Sequence, residues 1–273
     1  MNTPVLSAVA LVKRFGHVTA VDGVGFDLMP GASLGIVGES GSGKTTTARI
    51  LAGLEEPTSG TVTLAGETVA GQGVTGRSRR ARLRHARLLQ MIFQDPYGSF
   101  DPRQTIARSI AEPLRLHAPG SAKEHRARVA ELLDQVGLSE RAGRSLPREL
   151  SGGQRQRAAI ARALGISPRV LVLDEAVAAL DVSIQAQVLT LLDDLRRETG
   201  ISYVFVSHDL AVVRYITDTA IVMRHGRVVE RGETERLLRD PQHPYTRLLL
   251  DSIPSPDWDL DRVARDRRAL DAL

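Results

Sequence analysis

The chain has 273 residues, 42% of them hydrophobic, and a formal net charge of +4 at neutral pH. A chain of this length buries a hydrophobic core without cross-links, as one large domain or two closely packed ones. It contains no cysteine, which excludes disulfides, a thiol nucleophile and a cysteine metal site. The N-terminus lacks the basic and then apolar order of a secretory signal, and no apolar run approaches the roughly 18 residues needed to cross a bilayer. We therefore expect a cytoplasmic protein.

Strand and helix patterns alternate in the first third of the chain. A short apolar strand is predicted over 33–37 and a helix over 46–52. Strands are predicted over 61–64 and 88–93, with a loop over 66–76 between them.

The middle of the chain is helical, and strands then return. Apolar residues at three and four spacing predict helices over 107–116, 123–136 and 154–164. After Pro168 the pattern predicts a buried strand over 170–173, a helix over 184–199 and a second buried strand over 201–206. The dipeptide His225-Gly226 between 219–224 and 227–231 is typical of a β-hairpin. The chain is thus predicted to be a βαβ core with a helical insertion.

One segment is rich in arginine, namely Arg77, Arg79, Arg80, Arg82, Arg84 and Arg87. A nucleic-acid-binding patch and a solvated helix face are both compatible with such a cluster. The solvated face is favoured, because no aromatic residues for base stacking are interleaved with the arginines.

A glycine-rich segment follows the first predicted strand. Residues 38–45 fit the pattern G-x-x-x-x-G-K-[ST], and a helical pattern follows. A loop with few side chains brings backbone N–H groups and a helix N-terminus close to a phosphate chain. Lys44 adds a charge for the outer phosphates, and the Thr45 hydroxyl is the expected ligand of Mg²⁺. The predicted nucleotide-binding residues here are Gly38, Ser40, Gly41, Ser42, Gly43, Lys44, Thr45 and Thr46.

Two acidic residues, Asp174 and Glu175, end the apolar strand that begins at Val170. A carboxylate at the C-terminal end of a strand beside a phosphate loop can hold the Mg²⁺ shell, which is the role predicted for Asp174. Glu175 is then the candidate for polarising the attacking water, because the metal would engage Asp174.

Residues 150–154, Leu-Ser-Gly-Gly-Gln, resemble the signature sequence of the ATP-binding cassette (ABC) ATPases. Ser151 is predicted to cap a helix whose first N–H groups are exposed by Gly152 and Gly153, which makes a second anion-binding helix terminus. The resemblance implies that this element, with Gln154, faces the γ-phosphate of ATP held by the phosphate loop of another subunit. Two copies would then enclose two nucleotides.

The same resemblance suggests roles for four single residues. Gln94 and His208 follow the predicted strands 88–93 and 201–206, where the family places a metal- and water-sensing glutamine and a switch histidine. Asp181 resembles the acid that communicates across the dimer. Phe15 is the candidate for stacking on adenine, although the core is an equally good expectation for it. The resemblance thus implies two sets: catalytic Glu175, His208, Lys44 and Asp181, and Mg²⁺ ligands Thr45, Gln94 and Asp174.

The order of these motifs resembles the cassette ATPases over residues 5–235 and implies the fold class. That fold is α/β, a P-loop NTPase (RecA-like) core with an antiparallel β subdomain and a helical subdomain that carries the signature. The expected boundaries are 1–94 and 166–238 for the core, 95–165 for the helical subdomain and 239–256 for an extension. Residues 1–256 would then be one ATP-binding domain, and 257–273 a charged tail. The chain has Ala176 and Ala178 where the family commonly has Pro and a hydroxyl residue, and the second change is expected to weaken contacts at the dimer seam.

Further segments resemble the oligopeptide, dipeptide and nickel importer branch of the family; they are residues 93–103, 180–189, 207–213, 243–250 and 253–256. The resemblance implies a peripheral ATPase at the cytoplasmic face of the membrane that drives uptake of peptides, nickel or other small solutes. The implied partners are permease subunits, a second ABC ATPase chain (a different chain, or a second copy) and, through the complex, an extracytoplasmic solute-binding protein. No direct nucleic-acid partner and no iron–sulfur cluster are expected.

Two alternatives stay open. An exporter ATPase would share all the catalytic residues. A cassette acting on ribosomes or DNA is less favoured, because such proteins carry two cassettes in one chain or a long coiled coil between the phosphate loop and the signature. This chain has one phosphate loop, and the segment between Lys44 and Ser151 is too short for a long coiled coil.

Overall fold

The computed structural model describes residues 3–71, 78–95 and 98–252. Several predictions concern residues outside these ranges, namely part of the predicted loop (72–76), Arg77, the segment 253–256 and the charged tail 257–273.

Strands and helices alternate along the chain. The strands of the described residues are β1 (Leu6–Phe15), β2 (Val18–Leu28), β3 (Ser33–Val37), β4 (Ser59–Leu64), β5 (Glu67–Gly71), β6 (Leu89–Ile92), β7 (Val170–Asp174), β8 (Ser202–Ser207), β9 (Thr219–Arg224) and β10 (Arg227–Glu233). The α-helices are α1 (Lys44–Leu51), α2 (Arg79–Leu88), α3 (Ile106–His117), α4 (Ala122–Gln135), α5 (Glu140–Arg144), α6 (Gly152–Leu164), α7 (Val182–Thr199), α8 (Leu210–Ile216), α9 (Thr234–Arg239) and α10 (Pro244–Asp251). A 3₁₀ turn, Pro147–Glu149, precedes α6.

The larger sheet has six strands in the order β10-β9-β3-β8-β7-β6. Its pairs are parallel except for the β9–β10 hairpin. Strands β3, β7 and β8 are buried along their whole length, as the continuous apolar runs of a parallel sheet covered on both faces require. Because β3, β6, β7 and β8 run in the same direction, their carboxyl ends meet at one edge of the sheet.

The smaller sheet is antiparallel, with the order β2-β1-β4-β5. Its buried side chains join those of α1 and of β3, β7 and β8 in one hydrophobic cluster. The sheet therefore covers α1 and one face of the larger sheet.

The helices between β6 and β7 form a separate layer. In α3 the side chains of Ile106, Ile110 and Leu114 are buried at a spacing of four and pack against α4 and α6. Their hydrophobic cluster continues through Leu171, Leu173 and α7 into the larger sheet. The layer is thus packed against the face of the larger sheet opposite the smaller sheet, over β6, β7 and β8.

The structure corrects two of the predicted elements. Residues 67–71 were predicted to be loop but form β5, because Ala65 and Gly66 both have positive φ angles (50° and 82°) and close a two-residue hairpin after β4. Leu88 ends helix α2 rather than starting a strand, so β6 begins at Leu89. The hairpin at His225-Gly226 is confirmed.

Helix α2 carries the arginine-rich segment. Its arginines, Arg79, Arg80, Arg82, Arg84 and Arg87, are all exposed, as the solvated-face interpretation predicts. Arg84 lies 3.6 Å from the Glu67 carboxylate, in an exposed ion pair.

Candidate functional site

The glycine-rich segment forms a tight loop between β3 and α1. Gly38 and Gly43 have φ angles of 151° and 100°. A Cβ atom at Gly38 would collide with the Met223 carbonyl oxygen, and one at Gly43 with the Ala20 carbonyl oxygen. The loop therefore lies directly on β2 and β9, and its backbone conformation requires glycine at both positions. Ser40 and Gly41 are exposed, Ser42 is buried, and Thr45 and Thr46 lie in the first turn of α1.

Lys44 is the first residue of α1, and only 4% of its surface is exposed. Its ammonium group donates hydrogen bonds to the carbonyl oxygens of Gly38 (2.7 Å) and Glu39 (2.8 Å), so the lysine side chain spans the loop. Burial lowers the pKa of Lys44, while the charges of Glu175, Asp174 and Glu39 oppose this effect. A buried cation beside exposed backbone amides is suited to a phosphate chain.

Asp174 ends β7 and is 4% exposed. Its Oδ1 accepts a hydrogen bond from the Thr45 hydroxyl at 3.1 Å. Burial raises the pKa of Asp174, and the neighbouring charge of Glu175 adds to that effect, so a cation at this position would relieve the cost of the buried charge.

These oxygen donors fit Mg²⁺, which is held by one or two protein ligands together with substrate phosphates. Among the described residues there is no group of three or more His, Asp or Glu side chains that would hold a metal ion without such phosphates. Thr45 and Asp174 lie together, and their role as Mg²⁺ ligands stays a prediction.

Glu175 follows β7, and two side chains converge on it. Its Oε2 accepts a hydrogen bond from Gln94 Nε2 at 2.8 Å, and its Oε1 lies 3.4 Å from His208 Nδ1. The Glu175 side chain is 17% exposed, whereas that of His208 is 59% exposed. Gln94 and His208 follow β6 and β8, so the common direction of the strands brings all three residues together. Glu175 also has a φ angle of 48°, an uncommon backbone conformation for a residue other than glycine.

The signature residues lie at the start of α6. Ser151 caps the helix: its hydroxyl accepts from the Gln154 N–H at 3.3 Å, and the Gln154 side chain accepts from the Ser151 N–H at 3.0 Å. Gly152 is half-buried, and Gly153 is buried against Ile184 of α7. The predicted N-cap is confirmed, and Gly153 has a packing reason to be glycine.

Asp181 caps helix α7. Its Oδ1 accepts from the Ile184 N–H at 3.0 Å and from the Ser183 hydroxyl at 2.8 Å. These hydrogen bonds, that of Ile184 first, hold the pKa of Asp181 below its usual value. The capping role follows from these contacts, and the role across a dimer stays a prediction.

Phe15 ends β1 and is 48% exposed, so it is not a core residue. The Lys13 ammonium lies 4.8 Å from the centre of its ring. Stacking on adenine stays a prediction.

Sequence reasoning missed one contact to the phosphate loop. The hydroxyl of Tyr245, in α10, accepts a hydrogen bond from the Glu39 N–H at 3.0 Å. The sequence offered only a resemblance of residues 243–250 to the importer branch, and that resemblance does not predict a contact with the phosphate loop.

Two family models match this chain. The family model described as "ABC transporter" matches residues 21–178, and the model described as "Oligopeptide/dipeptide transporter, C-terminal region" matches residues 229–272. Within the described residues, no helix combines the length and the apolar character that crossing a membrane requires.

Curated relatives are similar over most of the chain. The "Glutathione import ATP-binding protein GsiA" of Escherichia coli (strain K12) is 48% identical over 96% of this chain and 43% of its own length. The protein of the same name from Salmonella typhimurium (strain LT2) is 46% identical, with the same coverage. The "Oligopeptide transport ATP-binding protein OppF" of Bacillus subtilis (strain 168) is 48% identical over 90% of this chain and 80% of its own length. The chain thus spans less than half the length of the glutathione import proteins and most of the length of the oligopeptide protein.

Solved structures share the fold. A dimeric ATP-binding cassette in a post-hydrolysis state, bound to ADP and phosphate, has a TM-score of 0.75 and 29% identity over 84% of this chain and 98% of its own. The structure of cbiO1 from Clostridium perfringens, part of the ABC transporter complex cbiONQ, has a TM-score of 0.77 at 24% identity over 97% of this chain and 99% of its own, and supports the fold alone. These likenesses confirm the predicted α/β fold class. With its matching family model and its relatives at 46–48% identity, the chain belongs to the ABC transporter family, in the oligopeptide/dipeptide branch.

Proposed function

We propose that the chain is an ATP-hydrolysing subunit that powers import of peptides, or of other small solutes such as nickel, through a membrane permease. The single observation that carries the ATPase assignment is the convergence of Gln94 and His208 on Glu175, at the end of the strand that also brings Asp174 to the phosphate loop. The importer assignment is supported by the C-terminal family match and by the printed names of the relatives.

The phosphate loop would bind the triphosphate of ATP through backbone N–H groups of residues 40–46. Lys44 would exchange its two carbonyl partners for the outer phosphates, a change that needs only rotation of its flexible side chain. Phe15 would stack on the adenine ring. Thr45, Asp174 and Gln94 would hold Mg²⁺. The metal ion would neutralise part of the negative charge of the phosphates.

Glu175 would accept the proton of the attacking water as the oxygen of that water bonds to the γ-phosphorus. The bond from this phosphorus to the bridging oxygen then breaks, and ADP and phosphate leave. Gln94 Nε2 lies against one oxygen of the Glu175 carboxylate and His208 Nδ1 against the other. These two contacts would fix the orientation of the carboxylate toward the water.

The γ-phosphate would be contacted from the other side by the signature residues of a second cassette. The N-terminus of α6, with Ser151, Gly152, Gly153 and Gln154, offers an anion-binding helix end for this purpose. Asp181 would report on nucleotide state across the dimer from its place at the start of α7. The dimeric relative bound to ADP and phosphate supports such an assembly.

The proposed partners are permease subunits, a second ABC ATPase chain and, through the complex, an extracytoplasmic solute-binding protein. The proposed location is the cytoplasmic face of the membrane. We further propose that residues 1–256 act as one ATP-binding domain with a core, a helical subdomain and an extension, followed by a tail.

Affinity purification of the full chain from detergent-solubilised native membranes tests the transport role. We expect permeases and a solute-binding protein to be recovered with the chain, and uptake of a labelled short peptide to be lost in cells that carry only the Lys44→Ala chain. Recovery of ribosomal or DNA-associated proteins instead, with peptide uptake unchanged, would overturn the transport role and leave the ATPase chemistry standing. A matched uptake control is Lys123→Ala, at an exposed position in the first turn of α4.

A further inference from the structure

Helix α10 contacts the phosphate loop through the side chain of Tyr245. Tyr245 is 1% exposed, and its hydroxyl oxygen accepts a hydrogen bond from the Glu39 N–H at 3.0 Å. The two residues are 206 positions apart in the chain. Helix α10, which contains none of the predicted nucleotide-binding residues, therefore forms a hydrogen bond with the backbone of the phosphate loop.

Helix α10 is itself held firmly. The Glu230 carboxylate of β10 accepts hydrogen bonds from the N–H groups of Gln242 (2.8 Å) and His243 (3.1 Å), which lead into the helix. His243 Nδ1 accepts from the Tyr245 N–H at 3.1 Å and so caps the helix. The Arg224 guanidinium lies 5.3 Å from the centre of the Tyr245 ring, within the range of a cation–π contact.

The ring of Tyr245 is also fixed by apolar packing. It belongs to a buried cluster with Val37, Leu210, Val222 and Leu248. Val37 is the last residue of β3 and directly precedes the loop. The tyrosine hydroxyl thus has little freedom to follow the loop if the loop moves.

The position of the Glu39 backbone affects Lys44, because the Lys44 ammonium donates a hydrogen bond to the Glu39 carbonyl oxygen. The Glu39 carbonyl, with that of Gly38, receives the Lys44 ammonium. Farther along the loop, the Ser42 carbonyl accepts a hydrogen bond from the Gly226 N–H at 3.0 Å. The loop backbone is thus held near its start by α10 and farther on by the β9–β10 hairpin, while Ser40 and Gly41 between these contacts are exposed.

We propose that Tyr245 is a positioning residue for the phosphate loop, through its hydrogen bond to the Glu39 amide. The inference rests on the proposed ATPase function and assigns a role to the C-terminal segment in that function. A loop whose amides already point toward the phosphates loses less conformational entropy when ATP binds. The Tyr245 contact therefore acts on nucleotide affinity more than on the chemical step.

The test is Tyr245→Phe, which removes the hydroxyl and keeps the ring. In the purified full-length chain we expect ATP to bind about three- to tenfold more weakly, the range for loss of one hydrogen bond. KM for ATP should rise by the same factor, with kcat within about twofold of wild type. Hydrogen exchange at the Glu39 amide should become faster in the nucleotide-free chain. The matched control is Tyr215→Phe, which loses a hydroxyl 3.3 Å from that of Thr190 on an exposed face and should change none of these values.

The outcomes separate the inference from the function on which it rests. If wild type binds and hydrolyses ATP and Tyr245→Phe has the same affinity and KM, the inference is overturned and the ATPase function stands. A lower Tm of Tyr245→Phe with unchanged affinity, KM and Glu39 exchange would show a stabilising role only, which also overturns it. A wild-type chain that binds no ATP would overturn both.

Discussion

Replacing Glu175 by Gln tests the proposed proton-accepting role of its carboxylate. The Glu175 side chain is 17% exposed, with Gln94 Nε2 at 2.8 Å from one oxygen and His208 Nδ1 at 3.4 Å from the other. Glutamine has almost the same shape and keeps an oxygen that can accept from Gln94. The substitution therefore removes the negative charge and the basicity and leaves the packing in place.

The expected size of the effect follows from the role. A positioned general base contributes about 10²- to 10⁴-fold to the rate, so turnover should fall at least about 10²-fold, or about 2.7 kcal/mol in activation free energy. ATP binding should not weaken, because Glu175 places a negative charge near the triphosphate site; its charge is among those that oppose the lowered pKa of Lys44. We expect the affinity for ATP to be equal to that of wild type or somewhat tighter.

The assay is steady-state phosphate release by the purified full-length chain, with ATP affinity measured separately at equilibrium. Glu140→Gln is the matched control, since Glu140 makes an exposed ion pair with Arg144 on α5 and its loss should leave turnover unchanged. Turnover of the Glu175→Gln chain within about threefold of wild type would refute the general-base role. Loss of ATP binding in the Glu175→Gln chain would show instead that Glu175 is needed for the structure of the nucleotide site.

Three further substitutions test other parts of the molecule. Lys44→Ala should weaken ATP binding at least about tenfold or abolish hydrolysis, and normal values in both assays would remove the phosphate-loop assignment. Ser151→Arg should leave ATP binding by the monomer intact and block ATP-dependent dimers in size-exclusion chromatography; unchanged dimers would reject the signature helix as a phosphate site. Asp218→Asn should lower the free energy of unfolding by about 1 kcal/mol at pH 7, because this carboxylate accepts hydrogen bonds from the Ser33 N–H and Arg196. Burial alone would raise the pKa of Asp218, but these hydrogen bonds outweigh it and lower the pKa. The deficit should therefore begin to shrink as the pH falls below about 4 and disappear only below the lowered pKa of the folded chain, and a deficit that does not shrink on acidification would contradict the linkage.

Part of the candidate site could be predicted because one physical rule places residues that follow parallel strands at one edge of the sheet. Apolar runs such as 170–173 and 201–206 are typical of parallel strands buried on both faces, and polar residues placed just after such strands meet at one edge. This rule predicted Asp174 and Glu175 beside the phosphate loop, whereas the role of His208 came from the resemblance to the cassette ATPases. In the structure Asp174 Oδ1 accepts from Thr45 and His208 Nδ1 lies 3.4 Å from Glu175 Oε1.

Other elements could not be predicted, for local reasons. Strand β2 contains Gly23 and Gly25, which interrupt its alternating pattern, although its pairing with β1 is extensive. The β4–β5 hairpin turns at Ala65, whose positive φ angle is unusual for alanine and gives no turn signal in the sequence. The Tyr245 contact joins residues far apart in the chain, and no local pattern encodes such a pairing.

The signature helix and the Asp181 cap are joined by a direct contact within one chain. A Cβ atom at Gly153 would collide with Ile184 Cγ2, so α6 and α7 touch at this point with no spare room. The N–H of the same Ile184 donates to Asp181 Oδ1 at 3.0 Å. Close-packed contacts of this kind transmit displacement, because neither side can move into the other. In the proposed dimer, a partner nucleotide that displaced the start of α6 would also displace the capped start of α7. We propose that this contact would give Asp181 a route to sense the signature contact without touching the nucleotide.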